Sequence, residues 1–98
     1  MITFRFDTKI IEWRGPSPFF FAAVPPEHVA AVRRAARSAS YGWGVVPVDA
    51  LIAGVSFTTS LFPKDGGYLL PIKAEVRRQA NVTIGDLIAV RMSIGPPS

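Results

Sequence analysis

The chain contains no cysteine. That removes disulfides, thiolate zinc sites and a cysteine nucleophile in one step, and it is compatible with a reducing, cytoplasmic compartment. His28 is the single histidine, and one imidazole without thiolates or a carboxylate pattern does not make a metal site. No cofactor-binding motif is present. No apolar run approaches the roughly eighteen residues of a membrane helix. The segment Met1–Asp7 shows no basic stretch followed by a long apolar one, so neither a signal peptide nor a membrane attachment is expected.

What remains is ordinary globular material, 49% apolar and 18% charged over 98 residues, enough for one core without staples. Residues 1–94 are expected to form one domain and 95–98 a flexible tail. The formal charge is +4. Arg33, Arg34 and Arg37 against Glu27, and Lys73, Arg77 and Arg78 against Glu75, place the whole excess on two helical segments.

Ile2, Phe4 and Phe6 alternate with Thr3, Arg5 and Asp7, the period of a half-buried strand. Ile11 and Trp13 fall on the face of Arg5, so a bulge near Asp7–Thr8 or a bend around a barrel corner is expected. Arg14–Pro18 is turn material. Phe19–Val24 is apolar without alternation, the pattern of a short strand covered on both faces. Pro25-Pro26 opens a helix whose apolar stripe is Val29, Val32 and Ala36, with Ala35 alongside, and Ser40–Gly44 closes it. Val46, Val48, Ala50 and Ile52 share a strand face, and Pro47 implies an edge or a bulge. After Gly54 a strand runs Val55–Phe62, and Pro63–Gly67 reads as a hairpin turn. Tyr68–Ile72 returns, Pro71 leads into a helix at Lys73–Ala80 ended by left-handed Asn81, and Gly85-Asp86 turns into Leu87–Met92. The predicted class is mainly β: a barrel, closed or split, of about six strands and two short helices in the order β-β-α-β-β-β-α-β. Strand–Pro–helix–Gly–strand occurs around both Pro25 and Pro71, which suggests two similar halves.

The run Thr59–Lys64, then Gly66–Ala74, Val76-Arg77 and Gly85-Asp86, resembles the small prokaryotic domain of unknown function nineteen-oh-five. Trp13, Gly15-Pro16, the aromatic strand ending at Pro25, and Gly42 and Gly44 also fit. Phe57-Thr58 stands where members often carry Trp before the Thr-Ser pair. The resemblance implies a β-barrel with two short helices and supplies no catalytic residues; some members are fused to a second domain related to bacteriocin-protection proteins. Leu70–Val90 alone is similar to AbrB- and MazE-type regulators, which are swapped-hairpin barrels.

Candidate sites each have a bland alternative. His28 reads as a solvated or capping residue. Thr58, Thr59 and Ser60 with Lys64 have the residue types of an activated hydroxyl, yet no third group orients a base. Lys73, Arg77 and Arg78, with Arg33, Arg34 and Arg37, suit phosphate binding or simple solvation, and Arg77 is a candidate partner of Asp86 or Asp49. Aromatic residues in a small barrel mostly fill the interior, with Tyr41 and Trp43 in a glycine-flanked loop the best candidates for exposure. Arg5, Asp49, Thr58 and Ser60 suggest a polar cluster in a barrel mouth. The candidate ligand-binding set is therefore Arg5, Trp43, Asp49, Thr58, Ser60, Lys64, Lys73 and Arg77. The leading expectation is a non-enzymatic binding module for a small anionic ligand or a protein partner. An AbrB-like nucleic-acid-binding regulator is the alternative, and an enzyme ranks third.

Overall fold

The computed structural model describes residues 2–14, 19–37 and 46–95. The turn expected at Gly15–Pro18, the loop carrying Tyr41 and Trp43, and the tail from Pro96 lie outside the described residues. Along the chain come β1 (Ile2–Trp13), β2 (Phe19–Ala23), α1 (Pro26–Ala36), β3 (Val46–Ile52), β4 (Val55–Lys64), β5 (Gly67–Pro71), α2 (Ala74–Ala80) and β6 (Leu87–Ile94). This is the element order expected from the sequence. The strands close into a barrel in the order β1-β2-β5-β4-β3-β6, every neighbouring pair antiparallel. Exchanging β1-β2-α1-β3 with β4-β5-α2-β6 leaves that cyclic order unchanged, so the two halves play equivalent topological parts.

Closure depends on β1. Its residues Ile2–Lys9 pair with β6 and Ile10–Trp13 pair with β2. The pairing with β6 is continuous through Asp7 and Thr8, so the expected bulge is absent and the strand bends from one neighbour to the other. Its alternation also persists, with Phe4, Phe6 and Ile10 buried and Thr8 between them half-buried. The Thr8 hydroxyl donates to the Ala23 carbonyl at 2.8 Å, which satisfies an inward polar group where β1 changes partner.

The lumen is apolar. Ile10, Ala22, Val46, Ile52, Leu61, Leu70, Val90, Met92 and Ile94 are each 2% exposed or less, and no polar or charged residue is buried among the described residues. Val32, Ala35 and Ala36 of α1 and Ala80 of α2 join the same core cluster, so the helices cover the barrel with the stripe their sequences announce. Arg33 ties α1 to the β4–β5 hairpin by donating to the Gly66 carbonyl at 2.9 Å.

Local chemistry sets the corners. Ala53-Gly54 and Asp65-Gly66 both have positive φ at the two central positions (48° and 81°, 51° and 79°), the geometry of two-residue hairpins whose twist matches the strands. Pro63 therefore lies within β4 opposite Tyr68, not in the turn as its sequence context implies. Asn81 adopts the left-handed conformation (φ 56°, ψ 47°) and ends α2, with the Val82 N–H returning to the Arg77 carbonyl at 3.0 Å. Pro47 marks no bulge. It sits opposite Ser60 of β4, one residue beyond the β3–β6 ladder that starts at Val48, so it is paired on one side only, a local edge position within a strand that has two neighbours.

Two stability outcomes follow. Leu61→Ala, at a site with no exposure, is expected to lose about 2–5 kcal/mol in urea denaturation through transfer and cavity terms. Ala53 carries a left-handed backbone that ordinary L-residues hold at a cost of roughly 1–2 kcal/mol. Ala53→Asn should therefore raise the unfolding midpoint, and an unchanged or lower midpoint would show that no strain resides there.

Candidate functional site

A filled lumen moves every candidate site to the exterior. On the β1–β6–β3–β4 wall two rows of outward side chains cross four strands. One row is Thr3, Ser93, Asp49 and Thr58, and the next is Arg5, Arg91, Leu51 and Ser56. Thr3 Oγ1 and Ser93 Oγ share a hydrogen bond of 3.0 Å. Three adjoining shallow depressions of about 440–500 Å³ lie on this wall, and Arg91 lines all three.

Arg5, Asp49 and Thr58 therefore share one surface, as proposed from the sequence, but that surface is the flank of the barrel and not its mouth. The reason is alternation: each is offset by one residue from a core position, so each must point outward. Ser60 lies one row further on, opposite Pro47. Arg91, which pairs directly with Arg5, is absent from the candidate ligand-binding set, since the sequence offers it only as a possible partner of Asp49.

Other candidates are dispersed. Lys64 shares the outward face of β4 with Thr58, but six residues of strand separate them by roughly 20 Å. Its Nζ sits 4.5 Å from the centre of the Trp13 ring, so the hydroxyl–lysine arrangement does not assemble. Lys73 is the exposed N-cap of α2. Trp43 lies outside the described residues. His28 packs against the rings of Phe4 and Phe6, with centroids 6.1 and 5.7 Å away. No group of three or more His, Asp or Glu side chains suited to a metal occurs among the described residues.

Arg77 has a structural role of its own. Its guanidinium carbon lies 3.4 Å from the centre of the Phe20 ring, and its buried Nε makes no hydrogen bond. It pairs with neither Asp86 nor Asp49. The Asp86 carboxylate instead accepts the Thr83 N–H at 2.8 Å, holding the turn into β6. Stacking on an aromatic face suits a delocalised, weakly hydrated cation.

The β1–β2–β5–β4 wall differs in kind. Its outward residues include Trp13 opposite Phe19, then Ile11, Phe21 and Pro71, then Ala23, Leu69 and Phe62. Trp13, Phe19, Phe62 and Ile11 are 54%, 53%, 47% and 42% exposed. Phe21 is buried yet stands apart from the barrel core. It is covered by Phe19 at 6.3 Å and by Phe62, edge-on, at 6.2 Å. The continuous apolar character of β2 thus reflects a core face and an aromatic outer face, with no second layer of described structure over it. These rings do not fill the interior, contrary to the expectation for a small barrel. Lys9, Arg14 and Lys64 border the wall, with Glu12 held by Arg14 at 3.2 Å and Asp65 in the adjoining turn.

A closed six-stranded antiparallel barrel with a packed apolar lumen and two covering helices defines a small β-barrel domain. More particularly, the chain belongs to the family described as Domain of unknown function (DUF1905), whose model matches residues 6–92. No curated protein matches it. The similarity of Leu70–Val90 to AbrB-type regulators rests on sequence alone.

Arg77→Ala is expected to cost about 0.5–2 kcal/mol, the range of a partly desolvated cation–π contact. Much of that loss should be shared with Phe20→Leu in a double-mutant cycle read by chemical denaturation. Additive single losses would show that the stack contributes nothing.

Proposed function

We propose that this domain is a non-enzymatic protein-interaction module whose partner docks on the aromatic wall formed by β1, β2, β5 and β4. The observation that carries the reading is the contiguous set Ile11, Trp13, Phe19 and Phe62, each about half exposed over buried Phe21. Four large apolar side chains together present a few hundred Å2, on the order of the patches that mark interaction sites on soluble proteins. Tryptophan and phenylalanine are also the residue types that anchor interfaces.

The chemistry of the partner follows from what surrounds the rings. On the aromatic wall the strands are paired with one another, so recognition there runs through side chains, as when an apolar helix face or short apolar segment lies on a hydrophobic surface. Lys9 and Lys64 border the wall without an ion pair, while the charge of Arg14 is met by Glu12. The complementary partner is a protein segment with apolar anchors flanked by carboxylates. Its attraction to the rim speeds encounter and is screened by salt.

Selection of random peptides displayed on phage against the immobilised domain tests this. Enriched sequences are expected to combine aromatic or aliphatic anchors with Asp or Glu. Their affinity should fall at least about tenfold, or about 1.4 kcal/mol, for Trp13→Ala/Phe62→Ser. Phe62 covers Phe21 and Trp13 carries the Lys64 contact, so a somewhat lower but still cooperative unfolding transition should accompany the loss, with binding compared well below it. Peptides retained equally by the double variant would sink the proposal. A concentration-dependent dimer abolished by the same substitutions would reassign the wall to a second copy of this chain.

A further inference from the structure

The opposite wall carries a feature that protein docking on the rings does not use. Arg5 of β1 and Arg91 of β6 are directly opposed across neighbouring strands. Like charges in that position repel and destabilise a sheet. Each guanidinium makes neither an ion pair nor a hydrogen bond within the described structure, where the single ion pair is Arg14–Glu12. On one side their neighbours are the short Thr3 and Ser93, on the other Asp7 and Ala89, and Leu51 stands beside Arg91 on β3. The two cationic forks thus overlook a low floor on the Thr3–Ser93 side. Thr3, Arg5, Arg91 and Ser93 together line a depression of about 500 Å³.

We infer that Arg5 and Arg91, with the hydroxyls of Thr3 and Ser93, form a binding site for a compact phosphate group, either free phosphate or a phosphate monoester. The two guanidiniums supply planar, permanently charged donor pairs matched to oxyanion geometry. One hydroxyl of the Thr3–Ser93 pair donates to the other at 3.0 Å, which leaves the second O–H able to turn toward a bound oxygen. A dianion between the arginines converts their mutual repulsion into attraction to a common centre, so the ligand stabilises the fold as it binds.

Two carboxylates limit what fits. Asp49 neighbours Ser93 across the β3–β6 pair, and Asp7 follows Arg5 on the same face of β1. A phosphate group small enough to stay between the arginines avoids both. A polyanion running along the wall meets them, so nucleic acid is disfavoured even though the protein is basic overall.

Titration of the isotopically labelled protein with inorganic phosphate, followed by NMR at constant ionic strength, tests the site. The expected result is a saturable shift of the Arg5 and Arg91 side-chain Nε–H signals and of the Thr3 and Ser93 amides, with a midpoint in the low millimolar range. Arg5→Gln and Arg91→Gln should each weaken binding about tenfold or more. Both variants, exposed on the wall, should unfold at a temperature equal to or above that of the parent without phosphate, and should lose the phosphate-dependent rise. Phosphoserine should reproduce the shifts, whereas a short DNA duplex should bind no more tightly than phosphate itself. Non-saturating shifts matched by sodium chloride, or variants that bind phosphate as the parent does, would overturn the assignment. Tighter binding of the duplex would overturn it in favour of a nucleic-acid surface. Peptide docking on the aromatic wall is read by different residues, so either site can fail without the other.

Discussion

Closure of the barrel by β1 is the constraint on which the rest of the structure depends. A single twelve-residue strand pairs with β6 along its first part and with β2 along its last. That continuity joins two antiparallel walls into one ring. No strand of the ring lies wholly at an edge, although Ile2–Lys9 of β1 and Val55–Leu61 of β4 each pair on one side only. On the two outer walls, what the domain offers to other molecules comes from side chains.

The same closure decides which side chains those are. Every strand divides its residues between a lumen and an outer wall. The lumen is small enough that aliphatic residues and Phe4 and Phe6 fill it, and α1 and α2 cover it. Among the described residues it buries no polar side chain of the kind that would meet a ligand in a wider barrel. The outer walls are free of that packing demand and have diverged in chemistry. One presents aromatic rings with a basic border, the other two opposed arginines among hydroxyls and short side chains. Half-exposed aromatic residues and unpaired like charges contribute little to the stability of an isolated domain. Their presence on surfaces that could carry ordinary solvated residues is what gives them meaning.

Much of the local structure was legible from neighbouring residues. Alternation in Ile2–Phe6 and in Val46–Ile52 identified core faces because strand geometry has a period of two. Pro26 and Asn81 marked a helix start and a helix end through their own backbone preferences. The errors share one cause, which is that they concern relations between distant segments. Pro47 suggests an edge strand, whereas β3 lies between β4 and β6 and Pro47 merely precedes the β6 ladder. Trp13 and Phe19 look like core residues until register places them outward. Arg77 looks like a carboxylate partner until Phe20 is brought beneath it.

The sequence by itself determined the elements, their order and the core faces of Ile2–Phe6 and Val46–Ile52, because each of these follows from spacing and from intrinsic backbone preference. It also indicated that Arg5, Asp49 and Thr58 oppose apolar faces. Only the tertiary structure decided that Arg5 meets Arg91, that the aromatic residues of β1, β2 and β4 converge on one wall, and that the polar cluster lies on a flank instead of a mouth. Those outcomes depend on which strands are neighbours and in what register, and barrel closure fixes both through pairings between residues far apart in the chain.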